Sequence, residues 1–506
     1  MGGGQRSRAV PFDSFCYRRP KNSRGPRGRA YRRRSRDFDP GWLAAGESGA
    51  TNIAGRNCCH CHVNLCALCC RRIGVKPIKI AITTLGCKVN QDESAGIEQL
   101  FTNAGHDIVN FSEHADVYIV NTCTVTHLGS RKSRQLLRQA RRRNNAACVV
   151  ALGCYPQTAS GELSEMAEVD LVVGNSHKRE IVNIVEKAIQ GNQRRVVVHP
   201  LESFDELPVA VTASRHRATL KIQEGCQRFC TYCIVPMARG GLRSMPVAQV
   251  VERAQELAAK GYGEIVLTGI NLTSYGRETV DGRSLAAVIR ALDVLPVDVR
   301  VRISSVEPTD FNADLIDAIA GNPRVCKHFH IPLQSGSDNI LRRMGRKYQR
   351  KDYLDLIAGL KNKFNKPSFS TDIIVGFPGE SDADFLQTVE LVEAVEFCKL
   401  HVFRFSARQG TPAAKFKEQI APQLKNSRSE ILIDAGHGSA LRYANSLVGF
   451  EESVLIEEPS PVDEGYMVGY GERYVRIHCA AEAEPGSILP VKITSQFNGE
   501  LKGQMV

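Results

Sequence analysis

Residues 219–244 read TLKIQEGCQRFCTYCIVPMARGGLRS. TLKI is a short apolar run of strand type, and Cys226, Cys230 and Cys233 follow it inside eight residues. No further cysteine occurs until Cys326. A structural zinc site takes four protein ligands, normally as two closely spaced pairs, and the second pair is absent. Iron–sulfur clusters take thiolates in tight loops, a four-iron cluster normally four of them. Three thiolates on a [4Fe–4S] cubane leave one iron open to a small molecule, and that is the expectation for this loop. The competing reading is three ordinary buried cysteines.

Outward from this stretch, six apolar strand runs recur: TLKI, EIVLTG, VRVRISS, HFHIPLQ, FSTDIIVG and KLHVFRF. Helical segments such as VAQVVERAQELAAKG separate them. Six βα units predict a partial (β/α)6 barrel over residues 212–440, with its chemistry at the strand carboxyl ends. Upstream, over residues 76–195, KIAITTLG, DVYIVNT, ACVVALG and DLVVGN alternate with helical runs, which predicts a parallel α/β sheet. A linker with Pro200 and Pro208 joins the two. Downstream of a polar helix, FEESVLIEE, GYMVGYG, RYVRIHC and ILPVKITSQF predict a small antiparallel β-barrel, broadly OB-like, over 444–506.

The chain has 506 residues, enough for two to four domains, with 42% hydrophobic and 24% charged residues, ordinary for a globular enzyme. No apolar run approaches the roughly 18 residues of a membrane span, and no apolar h-region follows Met1, so a cytoplasmic location is expected. Seventeen cysteines outside a secreted context point to metal or redox chemistry rather than disulfides. Residues 1–75 carry fourteen Arg and one Lys against three Asp and one Glu, a net +11 of the chain's +12. The basic pI therefore describes this segment and not the body. It is read as a disordered Arg/Cys-rich extension; its CCHCHVNLCALCC run lacks regular zinc-ligand spacing. An organellar transit peptide and an untranslated upstream segment, with a GUG start at Val75, are the alternatives.

A second triad lies upstream. Cys87 in TLGCKVNQDES, Cys123 in NTCTV and Cys154 in LGCYP each end an apolar strand run. In an open parallel sheet the strand carboxyl ends converge on one crevice, so the three can meet and hold a second cluster with one free iron. Cys148, Cys326, Cys398 and Cys479 read as core residues.

The CxxxCxYC loop, with Tyr232 before its last cysteine, resembles the radical S-adenosylmethionine superfamily. Both triads in this order, with GINLTSYG, SSVEP, HIPLQSGSDNILRRMGRKY, DIIVGFPGE and FSARQGTPAA, resemble the methylthiotransferase family over residues 76–506. The wording TLGCKVNQDES is most similar to its bacterial branch acting on threonylcarbamoyladenosine in tRNA, beside the anticodon. The resemblance implies two [4Fe–4S] clusters and S-adenosylmethionine, which the Cys226/Cys230/Cys233 cluster cleaves to a 5′-deoxyadenosyl radical. It implies that the Cys87/Cys123/Cys154 cluster holds or relays sulfur, and that the last 60 or so residues form an RNA-binding TRAM domain. The implied reaction inserts a methylthio group at C2 of the modified adenosine, an unreactive C–H carbon that offers no useful acid. The implied partners are tRNA, an electron donor such as flavodoxin or ferredoxin, and a sulfur donor, with no membrane. A family member acting on a ribosomal protein side chain, or a non-catalytic iron–sulfur RNA-binding protein, are the competing readings.

The resemblance makes Tyr232, in the signature slot before the last cysteine, an expected cofactor-binding residue, together with Thr268, Gly269, Asn271, Ser305, Glu307 and Gln334 at barrel strand ends. For RNA, Arg131, Arg134, Arg138 and Arg142 fall near one face of a predicted helix after Cys123. Arg343 and Arg346 in ILRRMGRKYQRK, and Arg473 and Arg476 beside Tyr470 and Tyr474, complete the set. Residues 447–506 nevertheless carry only four basic residues against ten acidic ones, an unusual balance for an RNA-binding barrel.

Overall fold

The structure, a computed structural model, describes residues 77–191, 194–209, 216–462, 464–480 and 483–506. The arginine-rich extension and its cysteine run lie outside the described residues. Six parallel strands form the first sheet: β1 (Lys79–Thr84), β2 (Asp107–Val109), β3 (Val117–Thr122), β4 (Cys148–Gly153), β5 (Leu171–Val173) and β6 (Arg195–Val197). Their order is β2-β1-β3-β4-β5-β6. β3, VYIVNT, is buried along its whole length, as a central strand covered on both faces must be. Ile119 and Val117 face one hydrophobic cluster, and Tyr118 and Val120 face another, the two-residue period of a pleated strand. The order reverses direction at β1/β3, the switch point where open α/β sheets place their sites. Helices α1 (Lys88–Asn103), α2 (His127–Arg143) and α3 (Cys154–Ser164) follow β1, β3 and β4.

All six strands expected for the barrel are present. β7 (Arg217–Glu224), the two-residue β8 (Arg243–Ser244), β9 (Glu264–Gly269) and β10 (Arg300–Ile303) form one sheet, and β11 (His328–His330), β12 (Ser368–Val375) and β13 (Lys399–Arg404) another. Parallel bridges Val301↔Val325 and Ser305↔His330 connect them. On alternate positions Leu220, Ile222, Ile265, Leu267, Val301 and Ile303 join the main core under the helices. The opposite face carries Lys221, Gln223, Glu264, Arg300 and Arg302, all buried.

The C-terminal strands β14 (Glu451–Pro459), β15 (Tyr466–Gly471), β16 (Arg476–Ala480), β17 (Ile488–Phe497) and β18 (Glu500–Met505) close into a barrel in the order β14-β15-β16-β18-β17. β18 is a fifth strand beyond the four read from sequence, and it pairs parallel with β16; the other barrel pairs are antiparallel. The barrel docks on β9 and β10 through two buried arginines. Arg300 donates to the carbonyls of Ser453 and Tyr470 at 2.9 and 2.8 Å. Arg302 donates to those of Glu472 and Gly471 at 2.8 and 3.2 Å. Glu264 balances both charges.

Candidate functional site: two thiol triads at strand ends

Register brings the upstream cysteines together. Thr84 pairs with Asn121 and Thr122 with Gly153, so Cys87, Cys123 and Cys154 leave neighbouring strands at one level. Asn90 ties the turns, donating through Nδ2 to the carbonyls of Leu85 and Thr122 at 2.8 and 3.0 Å. Gly153 is required at its position: it has φ +100°, and a Cβ there would meet Asn121 Oδ1 at 2.5 Å. Cys87 is the N-cap of α1 and Cys154 the first residue of α3, so both stand where the first turn of a helix leaves backbone N–H groups unpaired. The amide of Val125 favours charge on Cys123, yet burial pushes that thiol up to about 12. Burial likewise raises Cys87, against the pull of Arg239. Such thiols become ligands by giving up protons to bound metal.

The second triad sits on the loop after β7. The N–H of Cys226 donates to the carbonyl of Gly240 at 3.1 Å, and that of Cys233 to Cys230 at 3.0 Å. Backbone amides of Arg228 and Val235 face Cys226 and Cys233, and burial still holds Cys233 near 12. All six thiols are free of disulfides. Among the described residues no three His, Cys, Asp or Glu side chains converge on a single-ion site. A cubane instead places each thiolate on a different iron, so two triads of free thiols ringed by amide donors fit clusters better than single ions.

Beside Cys230 lies a cavity of about 330 Å3 lined by Gln227, Arg228, Ser274, Arg277, Glu307 and Arg346, among others. This is within the range for small-molecule sites. Arg228 and Arg277 both pair with Asp310. Of the expected cofactor-binding residues, Glu307 lines this cavity, but its carboxylate already holds Arg346. Asn271 aims Nδ2 toward Cys226 Sγ at 3.9 Å and is fixed by its N–H to Gln223 Oε1 at 2.8 Å. Gly269 admits Gln223, whose side chain a Cβ would meet at 2.9 Å. Thr268 is buried. Tyr232 packs edge-on against Phe377, ring centroids 6.5 Å apart. Ser305 makes a bridge to β11. Gln334 adopts φ +66°, an uncommon conformation for a non-glycine residue that clusters at functional sites.

A buried charge network joins the triads, and sequence reading did not single it out. Arg239, at the end of the short helix Val235–Arg239, is 1% exposed. It bonds Glu93 of α1, Glu224 of β7 and Cys154. Lys178 and Lys221 add further pairs to Glu93, and Lys221 another to Glu224. Burial alone would lower the Arg239 guanidinium, but Cys154, Glu93 and Glu224 hold it well above its ordinary value.

The arginines expected to meet RNA divide into two groups. Arg131 and Arg142 stay exposed on α2. Arg134 pairs with Glu162, Arg138 with Glu168, Arg343 with Glu418, and Arg476 with Glu458 and Glu500, all part-exposed. Two correct the expectation. Arg473 is buried, pairs with Glu452 and donates to the carbonyls of Lys366 and Asn365 at 2.7 and 2.8 Å. Its N–H groups are taken up in docking the barrel. Arg346 turns inward to Glu307 and donates to Cys230 Sγ at 3.4 Å, which places it in the cavity rather than on an RNA face.

Residues 220–392 match the Radical SAM superfamily and residues 79–174 match the Uncharacterized protein family UPF0004. The chain is 38% identical over 84% of its length to threonylcarbamoyladenosine tRNA methylthiotransferase MtaB of Bacillus subtilis, covering 96% of that protein. It is 40% identical over 78% of its length to MtaB of Thermotoga maritima, covering 90% of it. Against tRNA-2-methylthio-N(6)-dimethylallyladenosine synthase of Fusobacterium nucleatum it is 34% identical over 85% of its length, covering 100%. Among solved structures, the radical S-adenosylmethionine methyltransferase TsrM of Kitasatospora setae has a TM-score of 0.51 at 14% identity, over 67% of this chain and 74% of that one, a likeness of fold. The chain belongs to the tRNA methylthiotransferase family of the radical S-adenosylmethionine superfamily.

Proposed function

We infer that the protein inserts a methylthio group at C2 of N6-threonylcarbamoyladenosine beside the anticodon of tRNA. The observation that carries this is the pair of three-cysteine sets at strand carboxyl ends, joined by one buried network. The choice of adenosine rests on the MtaB relatives at 38 and 40% identity, against 34% for the dimethylallyladenosine synthase. When bound, the cluster on Cys226, Cys230 and Cys233 supplies the electron that makes a carbon radical from S-adenosylmethionine, and the one on Cys87, Cys123 and Cys154 supplies sulfur.

The chain's own residues do the rest. Cys226, Cys230 and Cys233 fix one reactant at the mouth of the barrel, where Arg277, Ser274 and Asn271 offer polar groups to orient S-adenosylmethionine. Arg346 is locked by Glu307 and Tyr348 and presents a fixed positive charge beside Cys230. Arg131 near the start of α2 and Arg142 in its last turn offer exposed guanidinium groups to tRNA phosphates along the helix that follows Cys123. An electron donor and a sulfur donor complete the cycle in the cytoplasm. No helix among the described residues is long and apolar enough to cross a membrane.

The test is anaerobic turnover with S-adenosylmethionine and two tRNAs, one carrying threonylcarbamoyladenosine and one dimethylallyladenosine. Nucleoside mass spectrometry should find the methylthio product in the first only. Product in the second, or in ribosomal protein with none in tRNA, would overturn the assignment. Absence of 5′-deoxyadenosine would leave a binding protein.

A further inference from the structure

We propose that Arg239, assisted by Asn175, is the positioning residue that sets the reduction potential of the auxiliary cluster and ties that cluster to the radical-forming loop. The proposal rests on the reading of Cys87, Cys123 and Cys154 as cluster ligands.

All five N–H groups of the guanidinium have partners. Nη1 donates to Glu93 Oε1 at 2.6 Å and to Glu224 Oε1. Nη2 donates to Asn90 Oδ1 at 2.6 Å and to Glu93 Oε2 at 3.0 Å. Nε donates to Cys154 Sγ at 3.2 Å. Asn175 is a second donor to the same sulfur, Nδ2 at 3.5 Å, and shares that amide with the carbonyl of Ala238 at 2.8 Å. Its own oxygen accepts from Lys178 at 2.8 Å, so its orientation is fixed.

These partners flank both triads. Asn90 and Glu93 follow Cys87 on α1, Glu224 precedes Cys226 by two residues, and Arg239 follows Cys233 by six. One planar fork thus fixes the spacing between the two cluster loops, a task to which a flexible lysine is poorly suited. A neutral thiol is a weak acceptor, and burying a guanidinium costs several kcal/mol. The fifth N–H becomes a strong, charge-assisted bond when the sulfur is a metal-bound thiolate. Hydrogen bonds to cluster sulfurs and nearby charge are two of the terms that set a cluster's potential, and a positive charge in a dry site stabilises the reduced, more negative state.

The test is an EPR-monitored redox titration of the anaerobically reconstituted full chain, with iron and sulfide counted alongside. The wild type should hold about eight irons; about four would overturn the two-cluster reading and the proposal with it, whereas eight irons with an unmoved potential in the variants overturns the proposal alone. Arg239→Gln should keep both clusters while the auxiliary potential falls and the other cluster moves less. Arg239→Lys, which retains the charge, should recover part of the fall. An auxiliary potential equal to wild type in Arg239→Gln overturns the proposal. Should Arg239→Gln not fold, because Glu93 and Glu224 lose a partner, Asn175→Ala leaves the Arg239 ion pairs intact. It removes one N–H from Cys154 and should lower the same potential; no change there overturns the proposal equally.

Discussion

Single side chains decide the chemistry and the seams of this molecule, and they do so from different positions. Cys230 and Cys123 belong to separate triads, so their loss should separate two activities. Cys230→Ala should abolish cleavage of S-adenosylmethionine. Cys123→Ala should still yield 5′-deoxyadenosine while methylthio product is lost; product from the second variant would refute the division of labour. Glu264 acts on stability instead. Burial alone would raise its carboxyl, but Arg302 and Arg300 hold it far below the ordinary value of 4.5. A carboxyl depressed on folding contributes stability that is present above its unfolded pKa and lost as pH falls toward the folded one. Urea midpoints should therefore drop from about pH 4.5 downward. Glu264→Gln leaves two buried guanidinium groups without their counter-charge, a cost of about 3 kcal/mol at pH 7, and flattens that acid limb. Equal acid limbs in variant and wild type would show that Glu264 titrates normally.

At the level of elements, the turn between β7 and the cysteine loop is the most constrained connection. Gly225 has φ +79°, and a Cβ there would fall 1.7 Å from the carbonyl oxygen of Gly241. Gly225→Ala must push apart the segment that receives the Cys226 N–H. The expected outcome is loss of about four irons from the radical-forming site, with the auxiliary set retained; eight irons in the variant would show that the loop tolerates the shift. The strand ends that carry the cysteines were readable because long apolar runs and local spacing announce them. β18 was not, since ELKGQM is short, carries only two large apolar side chains and no β-branched residue, and gains its pairing from β16 and β17. The three-residue edges β2 and β6 were equally silent. Arg239 was hidden for another reason: RGGLRS reads as a solvated basic turn, and its partner Glu93 lies 146 residues away. Arg473 misled in the same sense. A buried arginine and a surface one look alike until the carboxylates that neutralise them are placed.

Across the whole molecule, charge is distributed in a way that bears on how tRNA is held. Residues 1–75 carry a net +11 and the remaining chain only +1, while residues 447–506 carry four basic residues against ten acidic ones. Phosphate binding releases counterions, and the salt slope of log K is about −0.7 to −0.9 per phosphate contact. Within the described residues most of the candidate arginines are already paired to carboxylates, which leaves Arg131, near the start of α2, and Arg142, in its last turn, exposed without such a pair. A chain beginning at Lys76 should accordingly bind tRNA with a much shallower salt dependence than the full chain, because up to fifteen cations are removed, yet still modify it. All six cysteines proposed as cluster ligands lie downstream of that start. In the shortened chain, Arg131→Gln with Arg142→Gln should lower the slope by a further 1 to 2, roughly one phosphate each, and raise KM for tRNA while iron content stays at wild-type level. A slope unchanged by the double substitution would place the RNA elsewhere on the surface, and loss of modification on shortening would give the arginine-rich segment a role in catalysis that its charge alone does not explain.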